Sequence, residues 1–409
     1  MPASNFSSNS LAASPVSRLR PQIQDLETEN IADLAVRARA LKGVIPLWYG
    51  EGDLVTPEFI RNASKQALDE GQTFYVPDMH GTAPLREAMS RYQTTLHGRP
   101  IGADRTTVTP GGMQSVLLAM QLVADMGTNV VYIEPQWPNV KSVVHLVGAE
   151  PRPVSLRPVS RGGGAEGWTL DLDALFARCD ARTRAIFLST PSNPSGWTAT
   201  RAELEALLAF SRQRGIWIIG DEVYARLYFG TENGGRVAPS LLQVAEPNDL
   251  VMCVNSFSKA WAMTGYRVGW LNHPASIAPQ VAAMTQYMTS GVAAVLQAGA
   301  TAALNEGEPF VEVMRERVRA GLELAYNRLG RIPAVDLMGR PVGGMYVFFR
   351  LRGHDDSREA CRTVLDRAQV GLAPGYMFGD AGRAYLRMCV CREAGQLGRA
   401  LDRMVEALG

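Results

Sequence analysis

Lysine is nearly missing from this chain. Of 41 basic residues, four are lysines (Lys42, Lys65, Lys141 and Lys259) and the other 37 are arginines. An excess of either charge is missing too. The formal net charge is +1 over 409 residues, which excludes a broad electrostatic footprint for nucleic acid or an anionic membrane surface. No run approaches the ~18 unbroken apolar residues of a membrane-spanning helix. Cysteine is sparse: Cys179, Cys253, Cys361, Cys389 and Cys391 form no CxxC pair and no metal-ligand spacing. Reduced thiols in a cytoplasmic protein are expected instead, with no metal site. Cys389 and Cys391 stand two apart in a strand-like run, on one face, and do not suggest a disulfide. Residues 1–16, MPASNFSSNSLAASPV, carry no charge and no continuous apolar centre, and the first arginine is Arg18. Neither a secretory nor a transit leader is expected from that composition, and a disordered tail is expected there.

What is present is the composition of an ordinary globular protein, 46% hydrophobic and 20% charged, long enough for about two or three domains. β-rich runs at 106–109, 130–133, 185–189, 216–219 and 250–254 alternate with helical patterns at 113–126, 172–178 and 201–214. Such alternation predicts an α/β fold with a mostly parallel sheet covered by helices on both faces. The Gly-rich stretch 161–167 reads as a surface loop, because no strand directly feeds it. Beyond about 298 the pattern changes to a long charged helix at 310–329, a strand-like run at 343–350, a helix near 357–368, a strand at 384–390 and a last helix. This predicts a smaller α+β domain. The expected division is a large domain over 57–297 and a small domain from 17–56 together with 298–409.

In an open parallel sheet, ligands bind beyond the carboxyl ends of the strands, and the unusual polar motifs fall there. The run ending at Thr109 leads into Pro110-Gly-Gly-Met-Gln-Ser115 and a helix, an arrangement that suits a phosphate. The run ending at Glu134 leads to Trp137, which either stacks on a flat ring or packs in the core. The run ending at Ser189 leads to Asn193, held between Pro191 and Pro194. The run 216–220 delivers Asp221 and Tyr224, and an acid emerging from so apolar a strand needs a partner, such as a protonated ring nitrogen. Glu222 is expected to point elsewhere or bond locally. The run ending at Val254 delivers Ser256, Ser258, Lys259 and Arg267. Two hydroxyls and an arginine make an anion site. Lys259 has no Asp or Glu between 255 and 270. A lysine amine, unlike a guanidinium, loses its proton readily enough to attack a carbonyl. A nucleophilic lysine, an acid, a hydrogen-bond donor, an aromatic wall and a phosphate site together fit pyridoxal phosphate.

With those residues in place, the chain from about 20 to 405 closely resembles the fold-type I pyridoxal-phosphate aminotransferases, the aspartate aminotransferase superfamily (class I/II). The block Ser256-Phe-Ser-Lys-Ala-Trp-Ala-Met-Thr-Gly-Tyr-Arg-Val-Gly269 carries the likeness. So does the ordered series Gly50-Glu-Gly-Asp53, Tyr75, Gly111-Gly112, Trp137, Asn193, Asp221, Tyr224, Lys259, Arg267 and Arg387. The resemblance implies a seven-stranded sheet and a ping-pong exchange between an L-amino acid and a 2-oxo acid, through the pyridoxal and pyridoxamine forms of the cofactor. It implies that Lys259 carries the cofactor as a Schiff base and then shuttles the proton. Asp221 would keep the pyridine nitrogen protonated, and Asn193 and Tyr224 would bond the 3′ oxygen. Trp137 would stack on the ring, and Gly112, Met113, Ser256, Ser258 and Arg267 would surround the phosphate. Tyr75 would reach the phosphate of a second subunit, which makes a homodimer with shared sites. Arg387 would grip the substrate carboxylate, which the Gly50 backbone would approach.

Three departures stand out. Gly52 replaces the usual proline of this motif, which is expected to loosen that loop. The spacing from Tyr75 to Gly81 is one residue longer than usual. Met113 stands where some relatives place a lysine for an acidic side chain, and 284–291 lacks the arginine that others use. Together with Trp48 and Tyr49, this points to neutral or aromatic donors over aspartate and glutamate. A lyase, racemase or decarboxylase on the same scaffold is the alternative, and the presence of both Arg387 and Asn193 favours transamination over decarboxylation. An effector domain of a transcription regulator is not expected. It would need a helix-turn-helix segment of roughly 60 residues ahead of the match, where a short Ser-rich stretch stands.

Overall fold

Period-two alternation builds the larger sheet. In the computed structural model, which describes residues 15–24, 26, 32–161 and 164–409, seven strands form it. They are β1 (Thr106–Thr109), β2 (Asn129–Glu134), β3 (Glu150–Ser155), β4 (Thr183–Ser189), β5 (Trp217–Asp221), β6 (Val251–Ser256) and β7 (Gly269–Asn272), in the spatial order 1-7-6-5-4-2-3. β7 alone runs against its neighbours, and the other six share one direction. Val130, Tyr132, Ala185, Phe187 and Ile219 join the core beneath the helix Gly112–Val123. Their sequence neighbours Val131, Ile133, Ile186, Leu188 and Ile218 join the core beneath the helix Arg201–Arg214. Strands apolar on both faces require helices on both faces. The fold is therefore α/β, as the alternation predicts.

Local chemistry sets the helix ends. Thr200 and Glu203 close a capping box ahead of Arg201–Arg214, and Gly215, at φ 67, ends that helix in the left-handed region. Two strands of this sheet escaped the sequence reading. β3 carries Pro151 and Pro153, which weaken the strand signal, but it lies at the edge of the sheet, where proline is tolerated. β7 is short and lies inside the motif that follows Lys259. The Gly-rich stretch is not a plain loop. Arg157–Arg161 and Gly164–Thr169 pair as an antiparallel hairpin, driven by the β-formers Val159, Trp168 and Thr169 that flank the glycines; residues 162–163 lie outside the described residues. Of the tail expected over 1–16, residues 1–14 also lie outside them, and Pro15–Arg18 form a 3-10 turn.

A second, antiparallel sheet comprises β8 (Val335–Leu337), β9 (Tyr346–Leu351), β10 (Ala373–Pro374) and β11 (Tyr385–Cys389), in the order 8-9-11-10. Ile45–Pro46 pairs with Val370–Gly371, and the helix Ala32–Ala40 lies against Ser357–Ala368, whereas Pro21–Gln24, expected in the small domain, contacts the helix Asn139–Leu146 of the larger half. Phe348, Leu386 and Met388 share one core with Val318 and Leu322 of the helix Glu308–Leu329 and with Leu397 and Leu401 of the last helix. The helix Ala294–Glu306 packs on Glu58–Asp69 and Ala83–His97, and residue 298, where the division is expected, lies inside it.

The long helix approaches the end of β11 closely. A methyl group at Gly321 would overlap the Val390 carbonyl oxygen. Gly321→Ala is therefore expected to lower stability by about 1–3 kcal/mol, against the gain of about 1 kcal/mol that the same change brings on an exposed helix. A urea midpoint equal to or above that of the unaltered chain would refute this packing.

Candidate active site

The carboxyl ends of the parallel strands open on a cavity of about 650 Å³. Of the residues expected to hold the cofactor or substrate, Gly50, Gly112, Met113, Trp137, Asn193, Asp221, Tyr224, Ser256, Ser258, Lys259, Arg267 and Arg387 line it, and Tyr75, 86% exposed, does not. Lys259 follows β6 and the buried Phe257, which anchors the turn in the core. Its Nζ donates to the Gly50 carbonyl oxygen at 2.6 Å. Burial lowers the pKa of this amine; Arg387 and Arg267 push it the same way, while Cys389 and Glu51 oppose them.

The alternation that builds β5 also separates two adjacent acids. Asp221 falls on the face of Ile219 and enters the cavity. Glu222 falls on the opposite face, where it accepts from Ser240 Oγ at 2.7 Å and from the Leu241 N–H at 3.0 Å. Both are fully buried. Burial pushes Asp221 up to about 6, opposed by a 3.2 Å hydrogen bond from the Val223 N–H and by Lys259. Burial pushes Glu222 up to about 7, opposed by its Ser240 and Leu241 bonds.

At the other end of the cavity, Gly111 adopts φ 83, and a Cβ there would overlap the Arg267 guanidinium. Glycine thus lets the arginine lie against the start of the helix Gly112–Val123. Ser256 Oγ and Ser258 Oγ are 2.9 Å apart, and Arg267 Nη1 reaches Ser258 Oγ at 3.4 Å and the Thr264 carbonyl at 2.8 Å. Met113, in the first turn of the same helix, lies 3.3 Å by its sulfur from Asn139 Nδ2. Trp137 lines the wall and packs against the core under this helix.

Arg387, on β11, donates through Nη1 to Asn193 Oδ1 at 2.9 Å and through Nη2 to the Trp48 carbonyl. Its guanidinium lies 4.5 Å over the Tyr346 ring and 4.9 Å from that of Phe378. With Oδ1 engaged, the Asn193 amide N–H is the group left to donate. Among the described residues no carboxylate pairs with Arg267 or Arg387. Tyr224 Oη is 2.6 Å from Tyr346 Oη. Tyr346, Met377 and Phe378 were missed from the sequence. One signal was available for Tyr346, a polar ring inside the apolar run 343–350.

The loop around Gly52 is pinned rather than loosened. Asp53 pairs with Arg317 and accepts from the Glu393 N–H at 2.6 Å, and Glu51 accepts from Thr264 Oγ1. A Cβ at Gly52 would stand 2.9 Å from Cys391 Sγ. Side-chain contacts on both sides of the loop thus replace the stiffness that a proline supplies.

These residues suit pyridoxal phosphate. A buried acid short of partners faces the cavity, as a ring N–H requires. The Arg267 guanidinium, which no carboxylate pairs among the described residues, two hydroxyls and the N–H groups of a helix start gather where a phosphate would lie, and a part-buried amine lines the same cavity. The aminotransferase class I and II family model matches residues 43–404. This chain belongs to that family. Its members are pyridoxal-phosphate-dependent transaminases, and so is this chain. It is 28% identical over 386 residues to the aspartate aminotransferase of Pyrococcus horikoshii, covering 94% of this chain and 95% of that one. It is 29% identical over 399 residues to aromatic-amino-acid aminotransferase 2 of Thermococcus litoralis, with 95% and 98% covered. The crystal structure of the aspartate aminotransferase of Thermotoga maritima superposes with a TM-score of 0.84 at 28% identity, over 95% of this chain and 99% of that one. No helix among the described residues of this aminotransferase is long and apolar enough to cross a membrane.

The raised Glu222 has a measurable consequence. Its folded pKa lies above that of an unfolded glutamate, so its stabilising contribution is complete below about pH 4.5 and is lost as pH rises through about 7. Relative to Glu222→Gln, the unaltered protein is expected to lose on the order of 3 kcal/mol between pH 4.5 and pH 8. Urea midpoints of the two proteins across that range test this, and a constant difference would contradict it.

Proposed function

We propose that this aminotransferase takes the amino group of a neutral or aromatic L-amino acid and passes it to a 2-oxo acid in two half-reactions, as a cytoplasmic homodimer. The charge on the cavity wall carries the donor preference. Among the described residues, Lys259, Arg267 and Arg387 are the cations that line it. The proposal assigns Lys259 to the chemistry, Arg267 to the phosphate and Arg387 to the α-carboxylate. No cation remains for a second carboxylate on the donor, while Trp48, Met113, Met377 and Phe378 offer apolar surface. Relatives with aspartate and aromatic donors are about equally similar, so likeness does not select between them.

Pyridoxal phosphate, when bound, supplies the sink for the electron pair left on the donor's α carbon. This chain's residues do the rest. Arg387 grips the donor carboxylate, and Asn193 holds Arg387 in place. Lys259, whose amine burial and two guanidinia drive toward neutrality, takes the proton from the α carbon and keeps it for return. Asp221 would hold a proton on the ring nitrogen, and that pairing would offset the cost of burying the carboxylate. Tyr224 and the Asn193 amide would donate to the 3′ oxygen, and Trp137 would flank the ring. The N–H groups at Gly112 and Met113 would hold the phosphate together with Ser256, Ser258 and Arg267. Gly50 offers its carbonyl to the lysine when that amine is free.

The homodimer is supported by aromatic rings left in the open. Phe74, Tyr75 and Tyr287 are 84%, 86% and 83% exposed, and a second copy would bury them and bring Tyr75 to the neighbouring phosphate. The five free thiols are in keeping with a reducing compartment.

Lys259→Ala and Lys259→Arg are each expected to lose turnover by ~10³-fold or more. Mixing each amino acid with the cofactor-loaded enzyme and following the cofactor absorbance tests the donor. Neutral or aromatic amino acids should convert it fastest, and a 2-oxo acid should restore it. Faster conversion by aspartate and glutamate would overturn the donor reading. Failure of a 2-oxo acid to restore the absorbance would indicate lyase or decarboxylase chemistry.

A further inference from the structure

We infer that Tyr346 is a positioning residue that orients Tyr224 by donating its hydroxyl proton to it and braces Arg387 with its ring. This rests on the reading above, in which Tyr224 donates to the cofactor's 3′ oxygen. Tyr346 belongs to β9 of the smaller sheet and is 1% exposed. Tyr224 follows β5 of the larger one. Their hydroxyls meet at 2.6 Å, with the rings edge-on at 73°.

Proton counting sets the direction of that bond. Each hydroxyl owns one proton. Burial raises both pKa values, that of Tyr346 to about 12, so both hydroxyls stay protonated at working pH. Once Tyr224 gives its proton to the 3′ oxygen, it has none for Tyr346. The 2.6 Å bond then has Tyr346 as donor. Tyr346 Oη makes no other hydrogen bond among the described residues, so nothing competes for its proton. Donation into the Tyr224 oxygen strengthens Tyr224 as a donor in turn, by roughly 10–30% for linked bonds of this kind.

Two further contacts fix Tyr346. A Cβ at Gly50 would overlap its hydroxyl, so glycine there lets the hydroxyl reach Tyr224. The Gly50 carbonyl is also the group that holds Lys259 Nζ. On its face, the Tyr346 ring carries the Arg387 guanidinium at 4.5 Å. One side chain thus meets the group at the 3′ oxygen, the group at the carboxylate and the loop that holds the lysine. The hydroxyl and the ring do separate jobs, and substitution separates them.

The test uses holoenzyme loaded with pyridoxal phosphate. Tyr346→Phe, Tyr346→Leu, Tyr224→Phe and the double Tyr224→Phe/Tyr346→Phe are titrated with pH by the absorbance of the bound cofactor, and KM is measured for the best amino donor. Tyr346→Phe should raise the titration midpoint by ~0.3–0.5 unit and leave KM within about twofold. The double variant should titrate like Tyr224→Phe alone, because the hydroxyl acts through Tyr224. Tyr346→Leu should raise KM by about tenfold through loss of the ring under Arg387, and Tyr346→Phe, which keeps the ring, should show KM restored. An unchanged midpoint in Tyr346→Phe, or a double variant in which the two shifts add, overturns the inference while the reading of the site stands. A wild-type holoenzyme with no pH-dependent absorbance overturns that reading, and this inference with it.

Discussion

An amine withdrawn from water at the edge of a sheet is driven toward its neutral form, and the site is arranged around that fact. Lys259 has no carboxylate in its own segment to restore its charge, and Arg387 and Arg267 add positive potential from either side. An arginine could not respond in this way. In a chain that writes nearly all its positive charge as arginine, the lysine is kept where loss of a proton is the useful property. Among the described residues, the amine's hydrogen-bond partner is the Gly50 carbonyl, at 2.6 Å.

The same desolvation acts with opposite sign on the acids. Asp221 and Glu222 are adjacent and equally buried, and both are pushed upward. Strand alternation sends one into the cavity and the other into the far core. There Glu222 is satisfied by Ser240 and Leu241. Among the described residues Asp221 accepts from the Val223 N–H, and it lines the cavity. A positive charge driven toward neutrality and a carboxyl group short of donors, facing one cavity, give it the character of a cofactor site.

Much of this was legible in the sequence because it is local. The runs that became β2, β4, β5 and β6 show both-face hydrophobicity, the run of β1 is β-branched throughout, and the polar motifs follow them directly. The fates of Asp221 and Glu222 follow from a period of two. What was not legible is contributed from far along the chain. Tyr346, Met377 and Phe378 enter the cavity from the smaller sheet and its loop, and no spacing within the first 300 residues announces them. β3 was hidden by Pro151 and Pro153, which only an edge position tolerates. The hairpin at 157–169 was hidden by its glycines. The loosened loop expected from Gly52 did not appear, because its restraint comes from Arg317, Cys391 and Glu393, more than 260 residues away in sequence.

The central claim is that one lysine of four forms the covalent link, and that the environment at the end of β6 selects it. Borohydride reduction of the enzyme loaded with pyridoxal phosphate, followed by peptide mass spectrometry, tests this most directly. The account predicts a phosphopyridoxyl group on the peptide containing Lys259, with Lys42, Lys65 and Lys141 unmodified at stoichiometric cofactor. A label spread over the four lysines, or fixed on one of the other three, would contradict it.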